Sequence, residues 1–317
     1  MSIYKNKPIN LDEITTYELA SRPSKVTVKD FAEPISGDDS LKNFLDKLPN
    51  ILAVQSIRDI ASQIRRAKEL GKPIIWGIGG HVVKTGVAPI IIDLMNRGFV
   101  TAIAGNGSVL VHDTEIALVG FTSEDVDATL GEGDFGASKE TGEILNSAAK
   151  AGQKDSIGLG EAMCREVTNL YPNFGDKSLL FNAYKNKLPF TAHLTIGADI
   201  GHFHVSASGS ALGETSHTDF RLFTSLVKEM NGGGVYLNIG SAVTMPEIFL
   251  KAVTVIKNLG FPLEDITTAN FDFIQQYRPN TNVVRRPTAN GKGRGFSVTG
   301  HHELLIPLLA AQILCGE

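Results

Sequence analysis

Short apolar runs alternate with longer amphipathic ones along most of this chain. KPIIW (72–76) is a brief apolar run flanked by turn residues and reads as a buried strand. VAPIIIDLMNRG (87–98) reads as a helix stopped at Gly98. FVTAIA (99–104) reads as a second strand closed by Gly105-Asn106-Gly107, and VLVHDTEIALV (109–119) as the next helix. Helical spacing recurs over 41–70, 138–152, 157–170 and 176–187. LPFTAHL (188–194), GVYLNIG (234–240) and DITTANFDF (265–273) read as further strands. SHTDFRLFTSLVKEM (216–230) reads as a helix with Ser216 as its N-cap. PEIFLKAVTVIKNLG (246–260) has proline in its first turn and glycine at its end, and HELLIPLLAAQIL closes the chain as a helix.

Strands that are apolar throughout, alternating with helices, predict an α/β fold: a Rossmann-like, doubly wound, mainly parallel sheet with helices on both faces. Residues 1–40 are polar and read as an N-terminal arm, and 41–317 as one α/β domain. Ligands of such sheets bind beyond the carboxyl ends of the strands. Four segments are expected there: Gly77–Gly86, Gly105–Ser108, Thr195–His204 and Asn238–Thr244.

Composition narrows the partners. A formal net charge of −4 gives no global pull toward nucleic acid or an anionic membrane. The two cysteines, Cys164 and Cys315, stand far apart and suit a reducing, cytoplasmic setting. The amino terminus has no apolar core of a signal peptide, and the longest apolar run, 304–314, is too short to cross a bilayer.

Four constellations could carry chemistry. Gly77-Ile78-Gly79-Gly80, followed by Lys84, Thr85 and Gly86, could bring backbone N–H groups to an anion; the alternative is tight strand–helix packing. His112-Asp113-Thr114-Glu115 precedes an acidic stretch, with seven carboxylates and one lysine between Phe121 and Glu143. That stretch reads either as a cation or amine site or as a solvated surface. Asp199, His202, His204 and His217 form the third group; on a strand His202 and His204 would share a face as candidates for proton transfer, and the spacing matches no structural zinc pattern, so no metal is expected. The fourth is the basic run Arg278, Arg285, Arg286, Lys292 and Arg294, in which Gly291-Lys292-Gly293 could present an imine-forming lysine or belong to a solvated loop.

In this order the segments resemble the deoxyhypusine synthase family over roughly 73–314. GIGGHVVKTGVAPIIIDLMNRGFVTAIAGNG is similar to that family's first nucleotide-binding unit, LPFTAHLTIGADIGHFH to its strand and Thr-Asp-Gly-Ser loop, GVYLNIGSAV to its later Gly-rich turn, and RRPTANGKG to its segment leading to Gly-Lys. The resemblance implies homotetramers with NAD at the subunit interface, oxidation of the polyamine spermidine, and transfer of an alkylamine group through an active-site lysine. Lys292 is then that lysine, and Gly79, Thr85, Gly86, Gly105, Asn106, Gly107, Asp199, Gly240 and Ser241 the cofactor-binding set. Where the family binds the polyamine, this chain carries Arg285, Arg286, Thr288 and Asn290. The expected substrate is therefore a small amine bearing an anionic group, read by Arg285 and Arg286 with His112 and Glu115. A homo-oligomer, dimer or tetramer, is expected, without nucleic-acid or membrane partners. Two further readings stay open: an NAD-dependent amine or alcohol oxidoreductase with no covalent step, and a non-catalytic nucleotide-binding protein of the same fold.

Overall fold

The computed structural model describes residues 2–289 and 291–316, and the side chain of Glu132 is outside the description, as is Asn290. Six strands form one sheet: β1 (Ile74–Ile78), β2 (Ala102–Asn106), β3 (Phe190–His193), β4 (Val235–Ile239), β5 (Thr267–Asp272) and β6 (Arg294–Thr299). Every pairing is parallel and the order is β3-β2-β1-β4-β5-β6. This is the doubly wound dinucleotide-binding order, which reverses direction between β1 and β4.

Alternate residues of each strand enter opposite layers. Ile74, Trp76 and Ile78 of β1 join Leu237, Ile239 and Phe271 in a large core beneath helices Leu52–Glu69, Ala88–Asn96, Gly107–Val119 and His302–Cys315. Ile75 and Tyr236 face the other way, against Phe223, Val227 and Phe249 from helices Gly209–Glu229 and Thr244–Asn258. Tyr236 and Phe249 stack at 4.0 Å between ring centroids. Burial on both faces is why β1 and β4 read as largely apolar runs, whereas β5, also buried throughout, carries Thr267, Thr268, Asn270 and Asp272.

Two assignments differ from the sequence reading. Ser216 is not an N-cap: its helix begins seven residues earlier at Gly209, capped by Ser208 Oγ. Ser216 instead ties that helix to β3, donating to Ala192 O (3.1 Å) and accepting from Leu194 N (3.0 Å). A sixth strand, β6, also begins at Arg294, the last residue of the basic run. It lies on the sheet edge with only Val298 buried, so no apolar run announces it.

The described residues before 41 contribute only short 3-10 turns to the regular elements, and none of them is buried. Among the described residues no helix is long and apolar enough to cross a membrane.

Candidate active site at the carboxyl edge

The sheet reversal opens a crevice between the turns after β1 and β4. Gly79 N donates to Ile239 O at 2.9 Å, and a β-carbon at Gly79 would overlap the Gly240 carbonyl. Only glycine lets these turns approach so closely. Beyond it, helix Gly80–Lys84 ends at Thr85, whose hydroxyl bonds Val82 O at 3.1 Å, and Gly86 follows with φ 76° in open space. On the other flank Asn106 caps helix Gly107–Val119, its Oδ1 accepting from Val109 N at 3.3 Å. Ser241 Oγ likewise accepts from Met245 N at 3.1 Å. The side chains of Thr85, Asn106 and Ser241 are thus engaged in local turns, and what these segments offer a ligand is mainly backbone. Gly105 is buried on β2 against Val109.

Two buried acceptors lie at the crevice floor. Asn238 donates to Ser241 O and to Asn270 Oδ1, leaving its own Oδ1 without a partner. His302 packs against Gly240, its Nε2–H donates to Phe271 O at 3.3 Å, and its Nδ1 has no partner. Burial lowers the His302 pKa, which favours the neutral ring with Nδ1 as acceptor. Orphaned acceptors under a glycine turn fit a ligand with amide donors, such as a nicotinamide carboxamide. The sequence singled out neither residue; a lone histidine before an apolar helix carries no signal without the fold.

A cavity of about 240 Å³ adjoins the crevice on the β2–β3 side. Its walls carry Lys84, His112, Glu115, Glu124 and Asp199. Helix Gly107–Val119 presents His112 and Glu115 one turn apart. Thr122 Oγ1 bridges them, 2.7 Å from His112 Nδ1 and 2.5 Å from Glu115 Oε2, while Thr141 Oγ1 donates to Glu115 Oε1 at 3.0 Å. Burial pushes the Glu115 carboxyl upward, but His112 3.9 Å away and the hydrogen bonds from Thr122 and Thr141 outweigh it and hold the pKa below its ordinary value. Glu115 is therefore a fixed, ionised carboxylate. Neighbouring Asp113 points into the core instead, bonded to Ser178 Oγ and to the amides of Leu179 and Leu180.

Asp199 is the opposite case. Its carboxylate lies so close to Gly107 that a β-carbon there would overlap it. It accepts from Thr195 N at 3.1 Å, and burial raises its pKa. Next to it His202 accepts at Nδ1 from Gly197 N (3.1 Å), which leaves the proton on Nε2, buried, without a hydrogen-bond partner and 4.0 Å from Asp199 Oδ2. His202 and His204 do not share a strand face, because the segment is a 3-10 turn, Ile200–Phe203. His204 turns away to donate from Nε2 to Gly136 O at 3.0 Å, and His217 is exposed on helix Gly209–Glu229. Among the described residues no three His, Cys, Asp or Glu side chains converge as a metal set.

Arg278 follows β5 and meets Glu247 on helix Thr244–Asn258, but the rest of the basic run is elsewhere. Lys292 precedes β6 and its Nζ meets Glu264 Oε1 at 2.8 Å, where Glu264 precedes β5. Both sit at the amino edge, across the sheet from the crevice. Arg285 and Arg286 are exposed, and their neighbours Val284 and Thr288 pack on Gly295 and Gly293 at the start of β6. Within one chain, Lys292, Arg285 and Arg286 do not join His112, Glu115 and Asp199. Parallel pairing is the reason: a segment leading into a strand lies opposite one that follows it.

Residues 58–158, which carry Lys84, His112, Glu115 and Glu124, match the family described as arginine dihydrolase ArgZ-like, C-terminal, Rossmann fold. The ornithine cyclodeaminase of Methanothermobacter thermautotrophicus is 28% identical over 138 residues, 43% of this chain. That match spans 30% of the relative's own length. AgrE, solved as a ternary complex with ornithine and NAD+, superposes with a TM-score of 0.53 at 15% identity, over 82% of this chain and 32% of that one. An Entamoeba histolytica protein assigned as a deoxyhypusine synthase gives 0.51 at 10% identity, over 89% and 96%. The two structures show a shared fold. The likeness to deoxyhypusine synthases thus stands at the level of fold, whereas similarity in sequence runs to ArgZ-like and ornithine cyclodeaminase proteins.

Proposed function

We propose that this protein is an NAD-dependent enzyme acting at the carbon–nitrogen bond of a small amine, of which an ornithine-like amino acid is the class that suits it best. The observation that carries this reading is the charged cavity beside the crevice, with the ionised Glu115, the half-buried Asp199 and Lys84 on its walls. The matched family and the ornithine- and NAD+-bound relative support it.

The backbone of the turns at Gly79–Gly86, Gly105–Gly107 and Gly240 would hold the dinucleotide, over the acceptors Asn238 Oδ1 and His302 Nδ1. When bound, NAD supplies a hydride acceptor. The chain's own residues do the rest. Glu115 holds a substrate ammonium by charge-assisted hydrogen bonding. Lys84 meets a carboxylate. Asp199, with its pKa raised by burial, is the group suited to take the proton from the reacting ammonium, and His202 lies beside it to stabilise the charge. Lys292 has no part in this reading, since it lies at the other edge of its own chain.

Calorimetric titration with NAD+, followed by ornithine, tests it. Saturable binding of both, with ornithine binding lost in Asp199→Asn and NAD+ binding kept, is the expected result. Ornithine binding unchanged in Asp199→Asn and Glu115→Gln would refute it.

A further inference from the structure

Helix Gly107–Val119 carries Ser108, His112 and Glu115 at steps of four and three residues, so they share one face. That face meets the start of helix Gly80–Lys84 closely, because residue 80 is glycine: a β-carbon there would overlap Ser108 Oγ and crowd His112 Cδ2. The His112 side chain is only 14% exposed, and its open side is the cavity. Gly120 then ends the helix with left-handed backbone (φ 80°). The chain turns back on itself, which brings Thr122 over His112 and Glu115.

Counting protons fixes the direction of each bond. Glu115 is ionised and can only accept. Thr122 Oγ1 therefore donates its single proton to Glu115 Oε2. The 2.7 Å contact between Thr122 Oγ1 and His112 Nδ1 must then be made by a proton on the ring. A neutral imidazole carries one N–H, so its Nε2 is left with the lone pair. None of the described residues bonds that nitrogen, and the ring lines the cavity. Thr141, donating to Glu115 Oε1 at 3.0 Å, keeps the carboxylate from rotating out of the chain of bonds.

We propose that His112 is a general base of this cavity, acting through Nε2, and that Thr122 is the positioning residue that holds its proton on Nδ1. The proposal rests on the amine reading above, in which Asp199 takes the proton of the reacting ammonium and NAD+ is the hydride acceptor. A second base serves the step after oxidation, when water adds to the substrate iminium. As the water oxygen bonds to carbon, the C=N π pair moves to nitrogen and one water proton passes to His112 Nε2. The imidazolium returns that proton to nitrogen. The C–N bond then breaks, and the hydroxyl proton leaves with the departing ammonia, so a carbonyl and ammonium are the products. Glu115, 3.9 Å from Nδ1 and linked to it by Thr122, stabilises the imidazolium formed between these steps.

The test reads the ring directly. Nitrogen-15 NMR of histidine-labelled protein, with the His112 signals identified among the eight histidines by their loss in His112→Gln, reports which nitrogen of the neutral ring is protonated. The expected result is Nδ1–H in the wild type and in Thr122→Ser, and loss of that preference in Thr122→Val. A neutral His112 protonated on Nε2 in the wild type overturns the proposal. Ammonia release from ornithine with NAD+ is followed alongside. His112→Gln should lower kcat by roughly a hundredfold or more, the usual worth of a general base, with ornithine binding kept; Thr122→Val should lower kcat and Thr122→Ser restore it. Undiminished kcat in His112→Gln also overturns the proposal. The NMR readout needs no substrate, so it decides the positioning by Thr122 in any case. No turnover of ornithine by a wild type that shows Nδ1–H would count against the amine reading, and with it against the catalytic role given to His112.

Discussion

The carboxylate of Asp199 lies directly against the α-carbon of Gly107, the first residue of the helix that follows β2. This contact joins the loop after β3 to the end of β2 and sets one corner of the cavity. A methyl group at 107 would displace the carboxylate. Gly107→Ala should push the Asp199 carboxylate aside and weaken amine binding at small cost in stability, and Asp199→Asn should weaken amine binding with little change in stability. Thermal unfolding and titration of both variants separate the two effects. Unimpaired amine binding in Gly107→Ala would mean that the corner is not part of the site.

Glu115 is held ionised by hydrogen bonds from Thr122 and Thr141 with His112 beside it, so its charge persists below the usual carboxylate range. Glu115→Gln should cost amine affinity by a factor of roughly ten or more, the loss of a charge-assisted bond. The same variant should leave NAD+ affinity unchanged, measured by quenching of intrinsic fluorescence.

At the amino edge, Lys292 and Glu264 form an exposed ion pair. Such pairs contribute about 0–1 kcal/mol. Lys292→Ala, and separately Arg285→Ala with Arg286→Ala, should leave unfolding temperature and amine affinity close to wild type. Loss of amine turnover in Lys292→Ala would revive the covalent route, with the lysine delivered from a second chain.

Most of the fold was legible in the sequence, and the site only in part. Strands buried on both faces, such as 74–78 and 235–239, announce themselves as apolar runs. The exposed edge strand β6, with only Val298 buried, does not. The segments at the carboxyl edge followed from strand direction alone, which is why Gly79, Gly107, Asp199, His112 and Glu115 gather at one edge. The edge on which Lys292 lies was not legible, because its flanking glycines say nothing about which end of a strand they adjoin. Thr122 and Thr141, which orient Glu115, come from two distant points of the chain and leave no spacing to read.

Three buried groups make stability depend on pH in opposing directions. Burial raises Asp113 to about 6 and Asp219 to about 7 from an ordinary 3.8, so the folded state keeps protons that the unfolded chain has released. Their contribution to stability is greatest below pH 4 and declines as pH rises through about 6 to 7. Burial lowers His193 to about 3 from 6.5, so its contribution is full above 6.5 and is lost as pH falls toward 3. His193→Gln should flatten the acid limb of the urea midpoint between those pH values, and an unchanged limb would show that His193 is not buried and neutral. Asp219→Ala strands the amides of Gly160 and Ala192 and should cost roughly 2–5 kcal/mol at any of these pH values.

The central claim is that the crevice between the β1 and β4 turns holds NAD and that the cavity beside it takes the amine. Titration of NAD+ into the purified protein, then of ornithine into the resulting complex, tests it most directly. The account predicts one NAD+ bound per chain and tighter ornithine binding with NAD+ than without. No NAD+ binding, or ornithine binding indifferent to both NAD+ and Asp199→Asn, would contradict it.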